Sequence, residues 1–149
     1  MAISSYMTYL MHGTATSGST TWSKLVDIKD YPALGGEPER IDVTSLSDSQ
    51  YLYIPGIQTM EAMTFTANYD AETFATLKAL EGKEEDYAVW FGGEKNTSSG
   101  AVEPKGDKGK TSFKGELSVY IDGAGVNEAV NMKITIMPTV VLSFEKGTT

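Results

Sequence analysis

Apolar and polar residues alternate with a period of two along much of this chain. In "EAMTFTANYD", Met63, Phe65, Ala67 and Tyr69 fall on one side and Thr64, Thr66 and Asn68 on the other. That is the signature of a strand with one buried face. "RIDVTSL" places Ile41 and Val43 opposite Asp42 and Thr44. "DYAVWFGG" sets Tyr87, Val89 and Phe91 on one face, and "SFKGELSVYIDG" aligns Phe113, Gly115, Leu117, Val119 and Ile121. "EAVNMKITIM" alternates through Val130, Met132, Ile134 and Ile136 before Pro138 breaks or bulges the strand. "TVVLSFE", with Val140, Leu142 and Phe144 on one face, closes the set, and "TWSKLVDI" opens it ahead of the Pro/Gly loop "KDYPALGGEPE".

The period changes once. In "DAETFATLKALEGK", Phe74, Leu77 and Leu80 stand three apart. Asp70 is placed to cap the N-terminus. Glu72 in the first turn and Lys78 near the end suit the helix dipole, and Gly82 suits a left-handed C-terminal cap. A helix over 71–81 is predicted, its apolar stripe lying on a sheet. About seven strands and one helix make the fold mainly β, a β-sandwich or barrel with the helix on its flank. Residues 1–149 read as one domain. Residues 1–21 form an N-terminal arm with a short strand near Tyr6 to Met11 and a flexible joint in "TATSGSTT"; the alternative is a frayed terminus. "EKNTSSGAVEPKGDKGKT" reads as a long polar loop.

Composition narrows the function. The chain has 149 residues, 40% hydrophobic and 21% charged, as a folded globular protein should. Its net charge is −8, which disfavours tight binding to phosphate backbones and to anionic membranes. Cysteine is absent, excluding disulfides and thiolate metal sites, and a single histidine, His12, cannot build a multi-histidine site. No stretch reaches the roughly 20 apolar residues of a membrane helix. "MAISSYMTYLMHGTATSGSTTW" lacks a basic leader, so synthesis and folding in the cytoplasm are expected.

No stretch supports catalysis. "GDKGKT" at 106–111 resembles the end of a phosphate loop, but Pro104 stands where the first glycine belongs and an alternating strand follows. Paired-carboxylate chemistry needs two acids set across a cleft, and with 20 acids in the chain the groups Glu37/Glu39/Asp42 and Glu84/Glu85/Asp86 are expected by chance. No calcium-loop spacing occurs. His12 has no serine and aspartate context and is read as structural or exposed. "NTS" at 96–98 marks an exposed polar loop. No catalytic, cofactor-binding or metal-ligating residue is assigned, and the chain is not expected to be an enzyme.

The remaining signal is "YLYIPG". Alternation sends Tyr51 and Tyr53 to one face and Leu52 and Ile54 to the other, leaving both faces apolar. "SLSDSQ" before it is loop chemistry, and Pro55-Gly56 after it suits a type II turn. The segment therefore sits in a long connection, 44–59, of a kind that is usually functional or disordered. Contiguous exposed apolar side chains mark a contact surface; the alternative is a loop folded back over its own core.

The stretch "RIDVTSLSDSQYLYIPGIQTMEAMTFTANYD" resembles the major tail tube proteins of long-tailed, non-contractile (siphovirus-type) bacteriophages. The resemblance rests on Ile41-Asp42-Val43-Thr44, Ser47-Asp48-Ser49, Tyr53-Ile54-Pro55-Gly56 and Asn68-Tyr69-Asp70, followed by the helix segment. It covers about a quarter of the chain in residues and most of it in element order. It implies a β-sandwich with a flanking helix, six copies in a ring whose inner wall is a β-barrel, and rings stacked into a tube that guides double-stranded DNA into the host.

The long loop, with Ser47, Asp48, Tyr51, Leu52, Tyr53, Ile54, Pro55 and Gly56, would then reach into neighbouring subunits. The implied partners are further copies of the chain and the tape-measure, tail-terminator and tail-tip proteins. DNA would pass without specific binding, no membrane would be involved, and assembly in the host cytoplasm would place the protein in the virion tail. An acidic lumen would repel phosphate, with Asp42 and Glu116 as candidate lining residues. Burying the four residues from Tyr51 to Ile54 gains roughly 1.5–3 kcal/mol each. Association costs about 4–15 kcal/mol, so one loop is marginal but six in a ring are effective. Two other readings remain: a ring-forming tube of a bacterial secretion system, and a monomeric carbohydrate-binding β-sandwich using Trp22, Trp90 and tyrosines as platforms.

Overall fold

A computed structural model describes residues 3–4, 6–16, 18–58 and 61–147. Among these residues the chain forms ten strands and one helix. In order they are β1 (Thr8–Thr16), β2 (Ser19–Val26), β3 (Ile28–Asp30), β4 (Pro38–Asp42), β5 (Tyr53–Gln58), β6 (Met63–Asn68), α1 (Ala71–Leu80), β7 (Glu84–Lys95), β8 (Val102–Ile121), β9 (Asn131–Pro138) and β10 (Ser143–Glu145).

Eight strands make one sheet along the path β2-β1-β7-β8-β9-β6-β3, with β10 also on β8, and β4 and β5 make a separate pair. Every strand pairing is antiparallel. The first and last strands of the path, β2 and β3, are joined through Asp27 alone. One short run of chain therefore crosses from one edge of the sheet to the other. The sheet wraps around its core without closing as a barrel.

The alternating faces fill that core. Phe65, Ala67, Leu117, Val119, Met132, Ile134 and Ile136 are buried and meet Leu10, Tyr87 and Val89 from the neighbouring strands. Burial pushes the Tyr87 phenol upward. Helix α1 lies against β8 and contributes fully buried Leu77, while Phe74 packs at the core's margin. The Asp70 carboxylate accepts the Thr73 N–H at 3.1 Å and caps the helix. At the other end Glu81 Oε2 accepts the Val119 N–H at 3.0 Å, and the Gly82 N–H donates to the Leu117 carbonyl at 3.2 Å, fastening the helix to β8. A second apolar cluster, Tyr9, Met11 and Ala88 flanked by Trp22 and Trp90, lies on the opposite side of β1 and β7.

Several expectations need correcting. Among the described residues of segment 1–21, the expected short strand is present and longer, as β1, which pairs with β2 on one edge and β7 on the other, and the stretch expected as a joint contributes to both β1 and β2. The run 94–111 is not a loop, because β7 and β8 continue through it to a tip at 96–101. Its departure from regularity is a wide bulge, with Phe91 opposite Gly109 but Gly93 opposite Pro104. "GDKGKT" therefore lies within a strand and opens no helix. "TVVLSFE" supplies only the three-residue β10, and Val140, Val141 and Phe144 are exposed. His12 is mostly buried in β1, with Nε2 3.7 Å from Glu85 Oε2. Asn96 caps the β7–β8 tip by accepting the Ser98 N–H at 2.8 Å.

Candidate assembly interface

The connection expected over 44–59 is in large part a strand. Tyr53–Gln58 is β5, paired with β4 so that Ile41 faces Ile54, Asp42 faces Tyr53 and Arg40 faces Pro55. Pro55 and Gly56 are therefore inside a strand, not at the turn position assigned to them. A proline is tolerated here because the pair has two open edges and its missing N–H removes no required bond. Gly56 lies beneath Ile41: an added Cβ would stand 3.1 Å from Ile41 Cδ1 and 3.2 Å from the Glu39 carbonyl.

The end of the ribbon is tied by side chains. The Val43 N–H donates to the Leu52 carbonyl at 3.0 Å, and the Leu52 N–H donates to Thr44 Oγ1 at 2.7 Å. Asp42 Oδ1 accepts the Thr44 N–H at 2.9 Å, and that bond holds the Asp42 carboxyl below the usual carboxylate range. Within the loop, Asp48 Oδ2 accepts the Ser45 N–H at 2.7 Å, and Ser45 and Ser47 hydroxyls are 2.9 Å apart. Asp48 and Ser47 thus shape the loop, and Tyr51 to Gly56 run back along the ribbon.

Period-two geometry segregates its two faces. Ile41, Val43, Leu52 and Ile54 share one. Arg40, Asp42 and Tyr53 share the other, where the Arg40 guanidinium lies 5.1 Å from the Tyr53 ring centroid. The expectation that both faces are apolar holds for one and is qualified for the other, where Arg40 and Asp42 join Tyr53 and make the ribbon amphipathic, while β5 also carries exposed Ile57. All four residues of the apolar face are exposed, and Tyr51 is 77% and Leu46 108% exposed at its end. Ile41, Val43, Leu46 and Arg40 were missed as members of this site. The alternation in "RIDVTSL" contained the first two, but their partners became apparent only with the register.

The ribbon residues are brought together; the two lumen candidates are not. Asp42 belongs to the ribbon, while Glu116 lies on the large sheet, on the outward side of β8 between buried Gly115 and Leu117. Glu116 is opposite Glu84 on β7 and Met137 on β9. Among the described residues no group of three or more acids and histidines is placed to hold a metal. Among the described residues no helix is long and apolar enough to cross a membrane.

Residues 11–91, more than half of the chain, match the family model described as phage tail tube protein. The chain belongs to the phage tail tube protein family. That family is one of structural tail components and not of enzymes, and it places this tail tube chain in the phage tail. A search of curated proteins found no significant match.

Solved structures agree in fold. The chain resembles a protein in the tail of an empty GTA particle refined with C6 symmetry, at TM-score 0.66 and 15% identity over 97% of this chain and 99% of that one. It also resembles a chain of the sheath/tube terminator of PVC, an extracellular contractile injection system, at TM-score 0.62 and 11% identity over 97% of each chain. A third likeness is to the tube-terminating cap of the anti-feeding prophage, at TM-score 0.60 and 13% identity over 99% and 93%. The tail tube fold thus recurs in assemblies of different kinds at identities that speak only to fold.

Proposed function

We propose that this tail tube chain is the major tube subunit of a long-tailed, non-contractile phage. Six copies close into a ring, rings stack into a tube, and the tube conducts double-stranded DNA during ejection. The observation that carries the reading is the β4–β5 ribbon: an ordered, amphipathic pair of strands whose apolar face, Ile41, Val43, Leu52 and Ile54, is left open to solvent. A monomer gains nothing from holding such a face outside its core, whereas a repeating assembly buries it at every subunit. The C6 symmetry of the similar GTA tail is in keeping with a six-fold ring. In this reading the assembly residues are Ser47, Asp48, Tyr51, Leu52, Tyr53, Ile54, Pro55 and Gly56, joined by Ile41 and Val43. Assembly takes place in the host cytoplasm with tape-measure, tail-terminator and tail-tip proteins.

The outward face of β7–β8–β9 is the proposed lumen wall. Its polar positions include Glu84 and Glu116 together with Lys114 and Lys133. The wall is then mixed in charge within a chain of net charge −8. Asp42, on the other sheet, is not part of it. On that face Lys114 and Lys133 are offset by Glu84 and Glu116, so little counterion release favours binding. Negative-stain microscopy of the purified protein tests the assembly, with rings and tubes expected. Monomers whose melting temperature rises with added glycan would instead support the carbohydrate-binding alternative. A gel-shift assay at low salt tests the conduit: no duplex shift is expected, and a salt-sensitive shift would contradict it.

A further inference from the structure

The ribbon needs a receiving surface, and the structure offers an apolar cleft between the segment that leads into β4 and strand β10. Strand β10 pairs with β8 alone among the described residues, so its outer edge is open. Between β9 and β10 the chain bulges outward, exposing Val140 and Val141, and Phe144 is 72% exposed beside Gly109. Leu34, Val141, Leu142 and Phe144 line a cleft of ≈ 280 Å³. That is room for one or two aliphatic side chains.

Charge points the same way. Residues 37–54, which hold the ribbon, carry Glu37, Glu39, Asp42 and Asp48 against Arg40, a net charge of −3. Residues 95–114, the end of the β7–β8 hairpin that borders β10, carry five lysines against Glu103 and Asp107, a net charge of +3 in a chain of −8. Lys110 lies opposite Glu145 in the β8–β10 pairing, Lys146 follows β10, and Lys105 and Lys108 are exposed on the bulge. Like charges at a wrong contact are costly, and opposite ones fix the orientation of the right one.

Resting on the reading of the ribbon as an assembly element, we infer that the apolar face of β4–β5 from one copy seats in the Leu34/Val141/Phe144 cleft of the next. Ribbon and cleft are different surfaces of one molecule, so the contact is head-to-tail. Each joined pair leaves one free ribbon and one free cleft, and the chain of contacts continues until it closes as a ring or runs on as a helix.

The absence of cysteine makes the test clean. Ile54→Cys with Val141→Cys, oxidised after assembly, should give a reducible ladder of dimers and higher species on denaturing gels. Ile41→Cys with Val140→Cys repeats the test with the partner strand, should the first pair fold poorly. Ile54→Cys with Tyr120→Cys, on the outward face of β8, should give no ladder. Lys105→Glu with Lys108→Glu should abolish the ladder, and adding Glu37→Lys with Glu39→Lys to the same chain should restore it. Tubes that form without a ladder from either cleft pair would overturn this docking site and leave the assembly reading standing. A wild-type protein that stays monomeric would remove that reading too.

Discussion

The β6–β9 pair and the β4–β5 pair share one design and differ in what covers it. In the first, Phe65 faces Ile134, both fully buried; in the second, Ile41 faces Ile54, each 48% exposed. Both pairs are antiparallel, both set apolar residues on one side, and both have polar residues on the other. The first lies inside a wrapped sheet of eight strands and the second stands alone. Alternation therefore reports that a face is apolar, and only the packing reports whether the chain itself covers it.

The sharpest way to break this contrast is truncation. Phe65→Ala should lower folding stability by about 3–5 kcal/mol. Ile41→Ala should change it by less than about 0.5 kcal/mol. Chemical denaturation of the two variants gives both numbers, and a large cost at Ile41 would place the ribbon within the folded core. The helix offers the next test. Leu77→Ala should cost about 2–5 kcal/mol, with Phe74→Ala below it because that ring is only partly covered.

The smallest effect is electrostatic. Asp70 and Asp42 both accept a backbone N–H, and those bonds lower both carboxyls from the ordinary value. A carboxyl with a depressed folded value contributes stability above its unfolded value, about 3.9, and loses it as pH falls through the folded value. Asp70→Ala should therefore melt below wild type at neutral pH, with the gap closing in acid. Asp42→Ala should leave the global melt unchanged at every pH, because its bond lies in the ribbon. A pH-dependent gap for Asp42→Ala would show that ribbon and sheet melt as one unit.

Much of the fold was legible in the sequence. Met63 to Asn68, Phe113 to Ile121 and Met132 to Ile136 alternate because one face is buried, and Asp70, Glu72 and Lys78 mark the helix by chemistry that acts locally. What could not be read depends on partners distant in sequence. "VEPKGDKGK" has no apolar period; it is a strand because β7 pairs with it, and its glycines at 106 and 109, with φ of +69° and +131°, accommodate the bulge. The "HGTAT" part of β1 is small and polar, and Gly13 is required where an added Cβ would meet the Trp22 ring at 2.9 Å. At the candidate site, Tyr51 to Ile54 announced themselves as an apolar run. Pro55-Gly56 then suggested a turn and hid β5, and with it the register that joins Ile41 and Val43 to the same face.

The central claim is that the apolar face of β4–β5 serves assembly and not folding. Sedimentation velocity of the double variant Ile41→Ser, Ile54→Ser beside wild type, with a thermal melt of each, tests it most directly. The account predicts a variant that melts cooperatively at the wild-type temperature and sediments as a monomer under conditions where wild type forms rings or tubes. A variant that assembles as wild type does, or that loses its cooperative melt, would contradict it.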